Sequence, residues 1–273
     1  LTSIIIINFP STIITSIQIS KMSSIEQLRS LLKNSKISIG TWMQIPSPEI
    51  AEIFSATNYY EWIVVDMEHG SFSRSQLPSI VRAISKNSMP FVRLQSKNLS
   101  SVKDVVDCGF SGYIVPMIEN KKQLEIIFQA INYPPVGTRG VGFSRSNQYG
   151  INFEKVTDKN SKPFLVAMIE TAPALENLNE ILNYENLDAV IIGPYDLSAS
   201  LGVCGDFESE IFKNAIAKVK NKSYELNIPF GMHLIDPCNL KLQELESDGA
   251  QFIAYSMDSV MLSYLKPSLG RGS

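Results

Sequence analysis

The sequence predicts a closed (β/α)8 barrel, and three observations carry that reading. Eight short apolar runs recur between residues 37 and 258, and helical patterns with apolar residues at three- and four-residue steps fill the intervals. The runs are continuously apolar instead of alternating, so both faces of each strand must be covered, as in a parallel sheet flanked by helices. An open sheet built for a dinucleotide would carry Gly-x-Gly-x-x-Gly after its first strand, and none follows it here. At 273 residues the chain fits one large α/β domain of eight units better than two small ones.

The elements follow in order. Residues 1–21 are rich in Ile, Thr and Ser, contain Pro10 and lack the basic start of a secretory signal. Met22 precedes a helix start in Ser23-Ser24-Ile25-Glu26-Gln27-Leu28 and is the expected native start. Residues 1–21 are then a non-native or disordered extension, and residues 22–273 a single domain. Strands are expected at 37–43, 62–67, 90–94, 112–118, 164–170, 189–193, 229–234 and 252–258. Pro48-Glu49-Ile50-Ala51 opens a helix with a proline suited to the first turn. Residues 122–128 and 211–219 continue the helical period. Cys108-Gly109, Leu226-Asn227 and Asp248-Gly249 supply the glycine or asparagine on which helices stop.

Composition narrows the function classes. A net charge of −3 shows no basic footprint, which argues against nucleic acid as partner. Runs such as Ile4-Ile5-Ile6-Ile7 are far too short to span a membrane. The three cysteines, Cys108, Cys204 and Cys238, lack zinc-ligand or disulfide-framework spacing and point to reduced thiols in a cytoplasmic enzyme.

Polar residues mark where chemistry is expected. Asp66-Met67-Glu68-His69-Gly70 directly follows Trp62-Ile63-Val64-Val65. Two carboxylates and a histidine gain nothing from packing there, and such groups are usually held where a ligand or metal offsets their desolvation. His69 is one of two histidines, and Asp66 is close enough in sequence to orient its imidazole as a general base. The same residues also fit an aspartate capping the next helix beside a solvated histidine. Arg93 lies in the third strand, Glu170 ends the fifth, and Gly193-Pro194-Tyr195-Asp196 follows the sixth. In a barrel the loops after the strand C-termini carry function, and all of these residues fall there. Glu170 and Asp196 end adjacent strands about 4.8 Å apart. Carboxylates that close raise one another's pKa unless a cation lies between them, and an all-oxygen donor set suits Mg2+ or Mn2+. The alternative is that Asp196 caps a helix beginning near Leu197 while Glu170 is solvated. No expected strand contains lysine, so an imine-forming aldolase lacks its nucleophile. His233, within the seventh strand, reads as a core or rim residue.

Several motifs together resemble the HpcH/HpaI class II aldolase family. They are Gly40-Thr41-Trp42, residues 48–52, Asp66-Met67-Glu68-His69-Gly70, Tyr133-Pro134-Pro135-Val136-Gly137-Thr138-Arg139-Gly140, Ile169-Glu170-Thr171, Glu176-Asn177-Leu178 and residues 193–202. The resemblance runs from about residue 37 to residue 265 and implies a pyruvate-type barrel. It implies metal-dependent cleavage of 4-hydroxy-2-oxo or 2-keto-3-deoxy acids to pyruvate and an aldehyde. By position, Glu170 and Asp196 would hold a divalent ion (Mg2+, Mn2+ or Co2+). His69, with Asp66, would be the general base, and Arg93 would stabilise the enolate. Trp42, Gly193, Pro194, Tyr195 and Arg93 would bind substrate. A homo-oligomer, hexamer or trimer, is also implied, with the apolar segment 261–265 suited to helix exchange.

The chain departs from the family at Met168, where many members have glutamine, and at Ser256-Met257, where glycine often precedes the hydrophobic-Asp pair and the mouth is expected to narrow. The loop 140–149 is expected either to contact the aldehyde portion or to be an ordinary surface loop. A citrate-lyase-type enzyme acting on an acyl-CoA, or a non-catalytic ligand-binding barrel, are the competing readings.

Overall fold

The computed structural model describes residues 24–264. The extension 1–21, the start at Met22 and the last residue of segment 261–265 lie outside that range. Eight parallel strands close into a barrel in chain order: β1 (Ser38–Met43), β2 (Trp62–Asp66), β3 (Met89–Arg93), β4 (Gly112–Val115), β5 (Phe164–Ile169), β6 (Ala189–Ile192), β7 (Phe230–Leu234) and β8 (Phe252–Met257). Helices follow each strand, from Pro48–Ala56 after β1 to Asp258–Ser263 after β8. The predicted fold class is what the chain adopts, and no described strand contains lysine.

Strand ends differ from expectation for local reasons. β4 stops at Val115 instead of residue 118 because Pro116 cannot donate to a ladder and Met117 turns the chain with φ +54. That turn has a use: it delivers the Met117 N–H to Glu170.

The inward face changes character along the barrel axis. At the N-terminal end Trp62, Phe91, Phe164 and Phe252 are fully buried and pack ring on ring, with Trp62 stacked on Phe252 at 4.2 Å. Glycines make room for them: a Cβ at Gly40 would lie 2.1 Å from the Trp62 ring, and one at Gly112 2.5 Å from Phe91. The helix Ile25–Lys33 adds Leu28 and Leu32 to this interior cluster. It is tied down by the Arg29–Asp188 ion pair at 2.7 Å. The larger apolar cluster lies between the sheet and its helices, with Val65, Val92, Val115 and Ile192 facing Ile80, Ile127 and Val219.

Candidate active site at the barrel mouth

Toward the C-terminal end the same inward positions become polar. Asp66 and Arg93 are register partners on β2 and β3, so their side chains meet across the ladder. Arg93 Nε donates to Asp66 Oδ1 at 2.8 Å and Nη2 to Oδ2 at 2.7 Å. Arg93 Nη1 lies 3.0 Å from Glu68 Oε2. Burial raises the Asp66 pKa, but the Arg93 hydrogen bonds and charge outweigh it and hold the group below the usual carboxylate range. Burial likewise opposes the Arg93 charge, and Asp66 and Glu68 more than restore it. Arg93 is therefore a fixed cation inside the barrel, 5.7 Å over the Trp42 ring and 3.9 Å from the Met168 sulfur.

The expected side-chain pairing of Asp66 with His69 is corrected here. Both Asp66 oxygens are engaged by Arg93, and its link to this loop is through the backbone N–H groups of Glu68 (3.1 Å) and His69 (3.2 Å). The capping alternative holds in part, because Asp66 caps its own turn and not the distant helix Leu77–Ile84. The His69 ring is exposed at the rim and makes no hydrogen bond among the described residues. Arg93 wins because its planar fork meets the carboxylate across adjacent strands with two parallel bonds.

Glu170 follows β5 and is 1% exposed, so it is not the solvated residue of the alternative reading. Its Oε1 accepts the Met117 N–H at 2.5 Å. A Cβ on Gly193 would lie 2.7 Å from Oε2, so glycine at the end of β6 is what admits this carboxylate. Burial, together with the charges of Glu68 and Asp196, pushes Glu170 up to about 7 against the pull of the Met117 N–H. Asp196 does not cap a helix. Gly193 is the cap and Pro194 the first residue of Pro194–Ser200, which puts Asp196 in the first turn, exposed, beside Tyr195. Among the described residues no three His, Cys, Asp or Glu side chains converge on a common point for a metal.

His233 is a core residue as expected. Its ring stacks on Trp42 at 4.6 Å, and Nε2 lies 3.2 Å from the Ser256 carbonyl. Burial pulls its pKa down to about 4, so it is neutral and unsuited to the proton work assigned to His69.

Three contributors were missed or left without a role. Gln44 donates to Asp66 at 3.3 Å and accepts from Ser259 at 3.0 Å. Asp258 accepts the N–H groups of Gln44 and Ile45, both at 2.9 Å, and so fixes the loop after β1. Glu68 shares Arg93. Their position just past a strand end was the available signal, the same one that identified Asp66. For loop 140–149 the surface-loop alternative holds. The loop leads from the helix Lys121–Ile131 into β5, and Arg145 reaches the Cys108 carbonyl ahead of β4, so it lies on the N-terminal face, away from this chain's own mouth.

The sequence matches the HpcH/HpaI aldolase/citrate lyase family over residues 38–263. The chain belongs to that family. It is 32% identical over 236 residues to the 2-keto-3-deoxy-L-rhamnonate aldolase of Klebsiella pneumoniae subsp. pneumoniae, covering 85% of this chain and 87% of that one. It is 29% identical over 237 residues to the 4-hydroxy-2-oxovalerate aldolase of Novosphingobium aromaticivorans, covering 86% and 89%. The fold superimposes on an HpcH/HpaI aldolase/citrate lyase family protein from Burkholderia cenocepacia with a TM-score of 0.82 at 25% identity, over 87% of this chain and 95% of that one. As a member of the family, the chain is an enzyme of the lyase class. No helix among the described residues is long and apolar enough to cross a membrane.

Proposed function

We propose that this lyase is a metal-dependent aldolase that reversibly cleaves a 4-hydroxy-2-oxo acid or a 2-keto-3-deoxy sugar acid to pyruvate and an aldehyde. The observation that carries the reading is Glu170. A carboxylate 1% exposed, pushed up to about 7, with Oε2 accepting no hydrogen bond among the described residues, is a group whose charge calls for a cation. Glu170 and Asp196 supply oxygen donors only, which fits Mg2+, Mn2+ or Co2+, the remaining positions falling to water and substrate. When bound, the ion supplies Lewis acidity toward the keto oxygen of the substrate.

The chain's own residues do the rest. Arg93, locked by Asp66 and Glu68, holds positive charge where an enolate develops, without reorganising. His69 takes the proton from the C4 hydroxyl, its exposed ring left unhindered by Asp66. Backbone N–H groups of Tyr195 and Asp196, in a helix's first turn after Gly193 and Pro194, receive the pyruvate carboxylate. Trp42, backed by His233, forms an apolar wall. A cytoplasmic homo-oligomer, hexamer or trimer, belongs to the same reading. It is supported by three free thiols and by the exposure of Leu262 (48%) and Tyr264 (60%).

The test is aldol addition of pyruvate to short hydroxyaldehydes with Mn2+, followed by chromatography. Product is expected with Mn2+ and absent with EDTA. In Glu170→Gln the rate falls by roughly 10³, the scale for losing a transition-state electrostatic contact. Activity indifferent to EDTA, or cleavage of a CoA ester instead, overturns the assignment.

A further inference from the structure

The motif Tyr133-Pro134-Pro135-Val136-Gly137-Thr138-Arg139-Gly140 has no part in the mouth chemistry. It folds under β4 on the opposite face of the barrel. Its backbone is pinned to the preceding helix, with the Thr138 N–H on the Gln129 carbonyl at 2.7 Å and the Arg139 N–H on the Asn132 carbonyl at 2.9 Å. A Cβ at Gly137 would lie 2.3 Å from the Gln129 carbonyl, so the close approach requires glycine. This places the Arg139 guanidinium 4.3 Å over the Tyr133 ring.

Both side chains line a cavity of about 290 Å3, together with Tyr113, Lys155 and Lys162. Tyr133 is 6% exposed and the Arg139 side chain 8%. Arg139 Nη2 is taken up by the Val106 carbonyl, Asp107 and Ser146. Arg139 Nε and Tyr133 Oη, by contrast, are buried with no hydrogen-bond partner among the described residues. Leaving a buried donor unmet is costly, and here two of them belong to residues that line one cavity. Each can donate to an oxygen acceptor. Neither Lys155 nor Lys162 makes an ion pair among the described residues; Lys162 donates to the neutral Asn186 at 2.9 Å and lies 5.7 Å over the Phe128 ring. Glu26 is the one acidic residue in the lining, against Arg139, Lys155 and Lys162. The volume falls at the small end of ligand pockets, room for a phosphate or a short carboxylate and not for a nucleotide.

We propose that this cavity is a second ligand site, one that takes a small oxyanion through Arg139 Nε and Tyr133 Oη, with Lys155 and Lys162 supplying the balancing charge. It is separate from the mouth, because Ser111 and Pro163 in its lining precede β4 and β5.

The experiment is titration calorimetry of the full chain with inorganic phosphate, and separately with malonate, against chloride at matched ionic strength. Saturable binding of either is expected, and the stronger of the two identifies the source of the oxyanion. Tyr133→Phe keeps the ring under Arg139, removes only the hydroxyl, and should weaken binding by at least about tenfold, the scale of one hydrogen bond to a charged group. Lys155→Gln should weaken it by about twofold to fivefold, as an exposed charge does. His69→Ala should leave it unchanged. Binding that survives Tyr133→Phe and is lost in His69→Ala puts the anion at the mouth and overturns the proposal, as does heat no greater than that of chloride.

Discussion

The two ends of the barrel interior use one geometric rule for opposite purposes. Trp62 and Asp66 lie on the same inward face of β2, four residues apart, yet the first is stacked between Phe252 and Phe91 and the second is clamped by Arg93. At the N-terminal end the inward groups are apolar or glycine except Ser38, whose hydroxyl accepts the Trp62 indole N–H at 3.0 Å, and the rings gain stability by leaving water. At the C-terminal end charged groups enter the interior beside Trp42 and Met168, and their burial costs free energy that only partners can offset. The Asp66–Arg93–Glu68 set finds those partners within the protein. Glu170 does so only halfway, through one N–H. The difference marks which end is built to hold itself together and which end is built to receive something.

The largest expected contrast comes from truncating one residue at each end. Trp62→Ala leaves a cavity against three other rings and should cost about 3–5 kcal/mol in urea unfolding. His69→Ala, at the exposed rim, should change stability by no more than about 0.5 kcal/mol while lowering turnover by roughly 10²–10⁴. Should His69→Ala unfold the protein, or turn over normally, the division of labour between the ends collapses.

The sequence made much of this legible. Eight apolar runs named the strands because a two-sided buried strand has no other way to look, and the polar residues at their ends named the mouth. The pairing inside the mouth was not legible. Asp66 is three residues from His69 and twenty-seven from Arg93, and proximity in sequence favoured the histidine, whereas the β2–β3 register decides for the arginine. Gln44 and Asp258 carried the same strand-end signal as Asp66, but their partners were not legible, since each acts through a loop that the barrel brings alongside. The loop 140–149 looked functional by composition, and only its place ahead of β5 shows which face it serves.

A second contrast is in pH dependence. Burial holds Glu170 at about 7, against 4.5 for a free glutamate side chain. In EDTA the folded protein then keeps a proton that the unfolded chain has already released between those values. Stability from this group is therefore present below about 4.5 and is lost as pH rises toward 7. Glu61, pushed up to about 7 by burial at the other end, adds the same sign. His233, held at about 4, contributes the opposite slope, because the unfolded chain takes up a proton below the ordinary imidazole value of 6.5 that the folded protein refuses. Glu61 and His233 are common to wild type and Glu170→Gln, so their difference isolates Glu170. Between pH 4.5 and 7 the wild type should lose on the order of 1–3 kcal/mol more than the variant in urea unfolding. Parallel curves would mean that Glu170 is not held protonated at the mouth.

The smallest effect sharpens the boundary between the ends. β8 slips register against β1 between the pairs Gly40–Ala254 and Trp42–Met257, and Ser256 takes up the slack at φ +56. Its carbonyl does the visible work, accepting from Thr41 at 3.3 Å and lying 3.2 Å from His233 Nε2, while its hydroxyl is buried without a partner among the described residues. A left-handed conformation there explains why glycine suits this position, and why serine is tolerated as a strained substitute. Ser256→Gly removes the strain and the unmet hydroxyl but adds backbone freedom to the unfolded chain, so a net gain of about 0.5–1 kcal/mol is expected. If the hydroxyl serves only the backbone turn, KM for the oxo acid stays the same in Ser256→Gly. A raised KM would instead place Ser256 in contact with substrate and extend the receptive end of the barrel one strand further round the rim.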